Sequence, residues 1–212
     1  IISGGTGADA LTGGSGNDVI TGGVDNDNMT GGSGNDTFNV DSGTDTITDL
    51  TSGDILIVSS GATATVTNVT SFTATGSTAN SGTVTISTDN SSGGTVDMSS
   101  ASGNYTITGQ GSIDTLTGGG GNDIISGGDG VDTLDGEGGS DNLTGGAGKD
   151  IFYFDAVAES GGNTKDTITD FTQSTLNATT GAVITAGDSI KIVIPQGAFA
   201  ANDADSFIAS DK

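Results

Sequence analysis

The sequence lacks the side chains on which most enzymatic and nucleic-acid-binding chemistry depends. Its 212 residues include no Cys and no His, and all four basic residues are Lys. Without thiol or imidazole groups there is no disulfide framework and no conventional zinc site, and we expect no catalytic function. The net charge of −23 would repel phosphate groups, so nucleic acid is excluded as a partner. No membrane span is expected, because the apolar runs are far shorter than ~20 residues.

The chain also has few of the residues that build an ordinary hydrophobic core. Aromatic residues make up 4% and hydrophobic residues 31%, whereas 39 residues are Gly. Such a composition fits either disorder or a repeat architecture closed by something other than apolar burial. Asp outnumbers Glu 25 to 2, although acidic disordered chains usually contain much Glu. Since the short Asp carboxylate suits turns and metal-binding loops, the composition favours a repeat architecture.

A nine-residue repeat fills two blocks of the sequence. Six nonads run from residue 4 to residue 57, and six more run from residue 109 to residue 169, with a seven-residue insertion at 154–160. The typical unit is Gly-Gly-x-Gly-x-Asp-x-apolar-x, and position eight is apolar in all twelve nonads. Position six is Asp in all twelve: Asp9, Asp18, Asp27, Asp36, Asp45, Asp54, Asp114, Asp123, Asp132, Asp141, Asp150 and Asp166.

The physics of one nonad predicts both a coil and a cation site. Glycines at positions one, two and four allow a tight turn, and positions seven to nine form a short strand that turns one apolar side chain inward. Two nonads make one coil, and stacked coils pair as parallel strands ~4.8 Å apart. Asp9 then lies over Asp27, and bare carboxylates at that spacing repel. Carboxylate and carbonyl oxygens in a flexible loop select Ca²⁺, so we expect several calcium ions between the turns.

These repeats resemble those of a known family. GGSGNDVIT from Gly13, GGGGNDIIS from Gly118 and GGDGVDTLD from Gly127 are similar to the nonapeptide repeats of RTX proteins. The resemblance implies an all-β, right-handed parallel β-roll with calcium in its turns, and export by a type I system. Two nonads depart from the pattern, with Asp25 and Glu137 in place of glycines, and the nonad that begins at residue 109 is degenerate.

Both blocks end in the same sequence, Asp-Thr-Ile-Thr-Asp, followed by an apolar strand. The first copy spans 45–49 and leads to 53–57, and the second spans 166–170 and leads to 187–192. The pattern looks like the capping sequence that follows RTX rolls. Asp49 and Asp170, together with Asp45 and Asp166, can complete the last calcium sites. The alternative is that Asp49 and Asp170 are solvated turn residues.

The blocks are joined by residues 59–108, which are rich in Thr and Ser and alternate with period two. Counting back from residue 109, position eight stays apolar while Tyr105 replaces the Asp of position six. We expect calcium-free β-coils here, with a separate small sandwich as the alternative, and the one helix signal covers 154–159. The predicted domains are a first roll with cap at 1–58, the Thr/Ser-rich segment at 59–108, and a second roll with cap at 109–212.

Three functions fit this pattern. The mixture of RTX nonads with Thr/Ser-rich segments most resembles RTX-type bacterial S-layer proteins, which implies a secreted, self-assembling subunit or filament of the cell surface. Its expected partners are copies of itself and a cell-surface polysaccharide. The alternative is the calcium-folding C-terminal domain of a type I-secreted enzyme, toxin or adhesin, and an adhesin module that binds ice or another surface comes third. Residues 1–3 fill positions seven to nine of a further nonad, which predicts a longer intact protein.

Overall fold

A computed structural model of the chain describes residues 1–154, 165–171 and 189–192, and every regular element in this part is a β-strand. In chain order the strands are β1 Ile2–Thr6, β2 Ala10–Ser15, β3 Val19–Val24, β4 Asn28–Ser33, β5 Thr37–Val40, β6 Thr44–Ile47, β7 Ile55–Val58, β8 Thr63–Val69, β9 Ser71–Thr73, β10 Ala79–Asn80, β11 Thr83–Thr88, β12 Thr95–Asp97, β13 Tyr105–Thr108, β14 Thr115–Gly119, β15 Ile124–Gly130, β16 Thr133–Glu137, β17 Asn142–Gly148, β18 Ile151–Phe154, β19 Thr167–Ile168 and β20 Ser189–Ile192. The predicted helix signal beyond Phe154 lies outside the described residues, as do 172–188 and 193–212 of the predicted C-terminal cap. Within the described part there is no helix that could cross a membrane.

The strands form a parallel β-solenoid of about eight turns, which confirms the predicted fold. A nine-stranded sheet has the order β19-β17-β15-β13-β11-β8-β6-β4-β2, and a five-stranded sheet has the order β1-β3-β5-β7-β10. The third sheet has six strands in the order β20-β18-β16-β14-β12-β9. Where no insertion intervenes, paired residues of the repeat blocks are 18 positions apart, as in Leu11↔Met29 and Ile20↔Phe38, because two nonads make one coil.

The Thr/Ser-rich segment continues the nine-stranded sheet. Strands β8, β11 and β13 lie between β6 of the first block and β15 of the second, all in parallel. Asp45 pairs with Ala64, Ala64 with Val84, and Val84 with Tyr105, so these coils are 19, 20 and 21 residues long. A register shift between β8 and β11 adjoins Asn68, whose φ is 60°. Strand β7 does not end the stack, because β10 pairs with its far edge.

The core is a column of inward-facing side chains, one from each nonad. Position-eight residues such as Met29, Phe38 and Leu116 are completely buried. Leu11 and Ile168, at the two ends of the described nonads, are partly buried and pack against this column. One apolar side chain per nonad builds only a narrow core, so the turns must carry much of the remaining stabilisation.

Candidate metal centre

The position-six aspartates stack in two columns, one along each edge of the solenoid. In each stacked pair the backbone N–H of one Asp donates a hydrogen bond to Oδ1 of the Asp in the next coil. The nitrogen–oxygen distance is 2.9 Å for Asp9 to Asp27, 2.8 Å for Asp114 to Asp132 and 2.9 Å for Asp141 to Asp166. One carboxylate oxygen therefore fixes the coil register. The other oxygen, Oδ2, is left for another role.

Most of these second oxygens are buried and accept no hydrogen bond from any group in the described residues. They are the Oδ2 atoms of Asp9, Asp18, Asp27, Asp45, Asp114, Asp132 and Asp141. A buried carboxylate oxygen without a partner is costly, since nothing replaces its lost hydration. Seven such atoms at equivalent positions indicate a ligand that binds between coils.

The glycine at position one leaves the space in which this ligand would lie. A β-carbon built on Gly22 would be 2.7 Å from Oδ2 of both Asp27 and Asp45, and one built on Gly4 would be 2.6 Å from Oδ2 of Asp9 and from the carbonyl oxygen of Gly22. Carboxylate and carbonyl oxygens thus converge where a side chain is absent. Position two requires glycine for its backbone conformation: Gly32 has a φ of 101°, which other residues rarely adopt.

Burial makes the charged state of these carboxylates unfavourable when no cation is near. Loss of hydration is the main cause that raises the pKa of Asp45 and of Asp132 from 3.8 to about 6, and stacked carboxylates contribute further. The same two causes raise the pKa of Asp141. The pKa of Asp123 is raised by burial, against two backbone hydrogen bonds that lower it. A bound cation would reverse these shifts.

The donor set fits Ca²⁺. Among the described residues no three carboxylates converge on one point, so a metal ion would share carboxylate oxygens with backbone carbonyls and water. Calcium accepts such mixtures of about six to eight oxygen ligands, whereas Mg²⁺ requires a tighter octahedron. In this arrangement Asp27 and Asp45 would hold an ion beside Gly22, and Asp9 would hold one with the Gly22 carbonyl.

Some turns of the repeat differ. Oδ2 of Asp54 accepts hydrogen bonds from the backbone N–H and the hydroxyl of Thr51, at 2.8 and 3.1 Å. Oδ2 of Asp123 accepts one from the Gly119 N–H at 2.8 Å. Asp25 keeps the turn conformation of the glycine that it replaces, with a φ of 78°. Calcium ligation by each predicted Asp stays a prediction, and at Asp54 an ion would compete with Thr51.

The column along the nine-stranded sheet is interrupted in the middle of the chain. Ala64, Val84 and Tyr105 occupy the places between Asp45 and Asp123. The Tyr105 hydroxyl donates to the Ser102 carbonyl oxygen at 3.1 Å, and burial together with the nearby Asp123 raises its pKa to about 12. None of these three residues supplies a carboxylate oxygen, so the central coils lack the ligands of the repeat blocks.

The asparagines at position five form a second ladder, which the repeat pattern Gly-Gly-x-Gly-x-Asp does not predict because this position varies. Oδ1 of Asn17 accepts the backbone N–H of Asn35 at 3.0 Å, and Oδ1 of Asn122 accepts that of Ser140 at 2.9 Å. Asn26 and Asn104 do the same for the coils that follow them. The signal was the recurring Asn-Asp pair, in which the Asn oxygen accepts from the coil that follows and the Asp Oδ1 accepts from the coil that precedes, as at Asn26 and Asp27.

Asp49 and Asp170 occupy position one, where the repeat has glycine. Each carboxylate accepts hydrogen bonds from two successive glycine amides of the preceding coil, Gly31 and Gly32 for Asp49, and Gly145 and Gly146 for Asp170. These contacts differ from simple solvation, the alternative considered from the sequence. Ligation of calcium by these two residues stays a prediction.

Two family models match the chain. The model described as RTX calcium-binding nonapeptide repeat (4 copies) matches residues 3–38 and 12–47, and the model described as Peptidase M10 serralysin C terminal matches residues 89–204. The second match covers more than half of the 212 residues. No curated protein matches the chain. The first match falls on the turns in which orphaned Asp oxygens face glycines.

Proposed function

Since the chain belongs to the RTX calcium-binding proteins and carries a serralysin C-terminal domain, we propose that it is the calcium-folded C-terminal domain of a protein secreted by a type I system. That domain is a non-catalytic secretion and calcium-binding domain. The observation that carries the proposal is the row of buried Oδ2 atoms facing position-one glycines. That the chain is not an enzyme stays a prediction.

Calcium binding and folding would be one event in this protein. Without calcium the stacked carboxylates repel each other and lose their hydration, and the chain carries a net charge of −23. With calcium, each ion neutralises carboxylates from successive coils and ties those coils together. Binding free energy then becomes folding free energy. Extracellular calcium modules bind with dissociation constants of about 10⁻⁴–10⁻³ M, so the chain would stay unfolded inside the cell and fold outside it.

Circular dichroism during a calcium titration tests this proposal. A cooperative gain of β-signal near millimolar calcium, reversed by a chelator, is the expected result. Magnesium at equal concentration is the matched control, and it should fold the chain poorly. A fully developed β-spectrum in excess chelator would contradict the proposal.

A second candidate function is calcium-dependent self-assembly into a surface layer or filament. The observation that favours it is the outer face of the nine-stranded sheet, which carries no charge at position nine of any coil. These residues are Thr12, Thr30, Thr48, Thr67, Ser87, Thr108, Ser126, Thr144 and Thr169. By contrast, the six-stranded sheet has Asp97 and Asp135 at the equivalent position. In so acidic a chain, an uncharged face such as this one lets two copies approach without repulsion.

Matched charge variants test this assembly. Thr85→Glu, at position seven of the uncharged face, should abolish calcium-dependent light scattering and the ordered particles seen by negative-stain microscopy. Thr117→Glu, on the six-stranded sheet, should leave both unchanged. If the calcium-loaded wild type stays a monodisperse monomer at high concentration, only the secretion-domain function stands. A cell-surface location and a polysaccharide anchor stay predictions of the assembly hypothesis.

A further inference from the structure

Both repeat blocks end in the same carboxylate contact. Oδ1 of Asp49 accepts the Gly31 N–H at 2.9 Å, and Oδ2 accepts the Gly32 N–H at 2.7 Å. Asp170 contacts the equivalent amides of the second block at the same distances, 2.9 and 2.7 Å. The contact recurs although the seven-residue insertion separates Asp170 from its partners by 25 positions instead of 18. The shared Asp-Thr-Ile-Thr-Asp sequence therefore forms the same carboxylate–amide contact in both blocks.

The local electrostatics suit an anion and oppose a cation. The N–H groups of Gly31 and Gly32 both point at the Asp49 carboxylate. Two successive amides aimed at one point form a concavity of positive potential, which binds anionic groups. A calcium ion placed between Asp49 and these amides would face two hydrogens. The orphaned oxygens of position six, by contrast, face carbonyl oxygens and other carboxylates.

The turn that begins at Asp49 has also lost the features of a calcium turn. Asp49 replaces the position-one glycine whose missing side chain leaves the ligand space elsewhere, and Leu50, which is buried, replaces the next glycine. Oδ2 of Asp54 is hydrogen-bonded to Thr51 instead of being orphaned. In this turn the Asp49 carboxylate contacts glycine amides of the preceding coil, and the Asp54 carboxylate is hydrogen-bonded within the turn.

Just before each of these Asp residues, a Thr hydroxyl lies within hydrogen-bond distance of a Thr hydroxyl of the preceding coil. The Thr30 and Thr48 hydroxyl oxygens are 3.0 Å apart, and those of Thr144 and Thr169 are 2.7 Å apart. Since Thr48 and Thr169 directly precede Asp49 and Asp170, each hydroxyl pair holds the following carboxylate beside the glycine amides of the preceding coil.

We propose that Asp49 and Asp170 are positioning residues, each of which clamps a glycine turn of the preceding coil, and that, contrary to the expectation from the sequence, neither is a calcium ligand. The clamp on Gly31 and Gly32 orders the turn that carries Asp36, and the clamp on Gly145 and Gly146 orders the turn that carries Asp150. This role rests on the proposed calcium-dependent folding, because the clamped turns belong to the calcium columns. Loss of a clamp should weaken calcium binding without removing a site.

The calcium count of the full chain separates a clamp from a ligand. Isothermal titration calorimetry of Asp49→Asn should give the same number of bound ions as the wild type, with the titration midpoint raised about three- to tenfold. A ligand variant, Asp27→Asn, should lower the number of ions. Asp97→Asn, in the central coils, keeps an oxygen for the Ser99 N–H; it is the charge-matched control and should change neither quantity.

A spectroscopic signature makes the test independent of variant folding. In the calcium-loaded wild type, NMR should detect scalar coupling across the hydrogen bonds from Gly31 and Gly32 to the Asp49 carboxylate, and slow exchange of both amides. Loss of one bound ion in Asp49→Asn, or fast exchange of both glycine amides in the wild type, would overturn the clamp. A wild type that folds in chelator and still shows these couplings would refute calcium-dependent folding and leave the clamp standing.

Discussion

Substitution of Asp132 should stabilise the fold in the absence of calcium and destabilise it in the presence of calcium. This side chain is fully buried, its Oδ1 accepts the Asp114 N–H at 2.8 Å, and its Oδ2 has no hydrogen-bond partner in the described residues. Asp132→Asn keeps an oxygen for the Asp114 amide and removes the buried charge. The variant should therefore help the calcium-free fold and harm the calcium-loaded one.

The magnitude follows from the pKa of Asp132, which is raised from 3.8 to about 6. A folded-state pKa above the unfolded value means that ionisation opposes folding at neutral pH, and each pKa unit corresponds to about 1.4 kcal/mol. The charge of Asp132 thus costs the calcium-free fold at most about 3 kcal/mol, a large part of the ~5–15 kcal/mol that stabilises a domain. With calcium at about 100 times its dissociation constant, each site contributes about 2.7 kcal/mol, and the variant weakens the sites on both sides of Asp132.

Two denaturation curves measure these opposite effects. In chelator, a stabilising osmolyte should fold Asp132→Asn at a lower concentration than the wild type, since excluded osmolytes favour compact states. In calcium at about 100 times its dissociation constant, the urea midpoint of the variant should be lower than that of the wild type. Asp129→Asn removes an exposed carboxylate from the same turn and should have small effects. Shifts of the same sign in both conditions would refute the account of Asp132.

Three further substitutions or conditions have definite expected outcomes. In chelator, lowering the pH through about 6 should increase the β-signal, because protonation of Asp45 and Asp132, whose folded pKa values are about 6, removes charge that opposes folding; a β-signal that falls would contradict those shifts. Gly22→Ala should cost about 1–3 kcal/mol in calcium and remove at least one bound ion, whereas Gly76→Ala, in open space, should be near neutral in calorimetry and urea unfolding. Asn122→Ala should lower the free energy of unfolding by about 1 kcal/mol through its lost amide contact, with the calcium count unchanged.

The coil geometry of the repeat blocks could be predicted from sequence because one period determines it. Counting in nines places Asp9 over Asp27 and turns Met29 inward, and both are observed. The same count could not follow residues 59–108, where coils lengthen to 19, 20 and 21 residues and a bulge adjoins Asn68. Pairing with neighbouring strands, which has no local sequence signature, sets the register there.

The residue types of the candidate site could be predicted from sequence, but the separate roles of the two carboxylate oxygens could not. The Asp period points to calcium, but it does not show that Oδ1 binds a backbone amide while Oδ2 of residues such as Asp27 stays free. Sequence spacing also cannot tell on which side of a turn a carboxylate lies. Asp45 and Asp49 are four residues apart, yet the structure turns one toward a ligand space and the other toward glycine amides.

Anomalous diffraction from crystals grown in calcium would locate each bound ion. We expect peaks between the coils where orphaned Asp oxygens face glycine turns, including one beside Gly22 between Asp27 and Asp45. We expect no peak along the column at Ala64 and Val84, where carboxylates are missing. An ordered β-roll without calcium peaks at the Asp columns would contradict calcium binding by these aspartates.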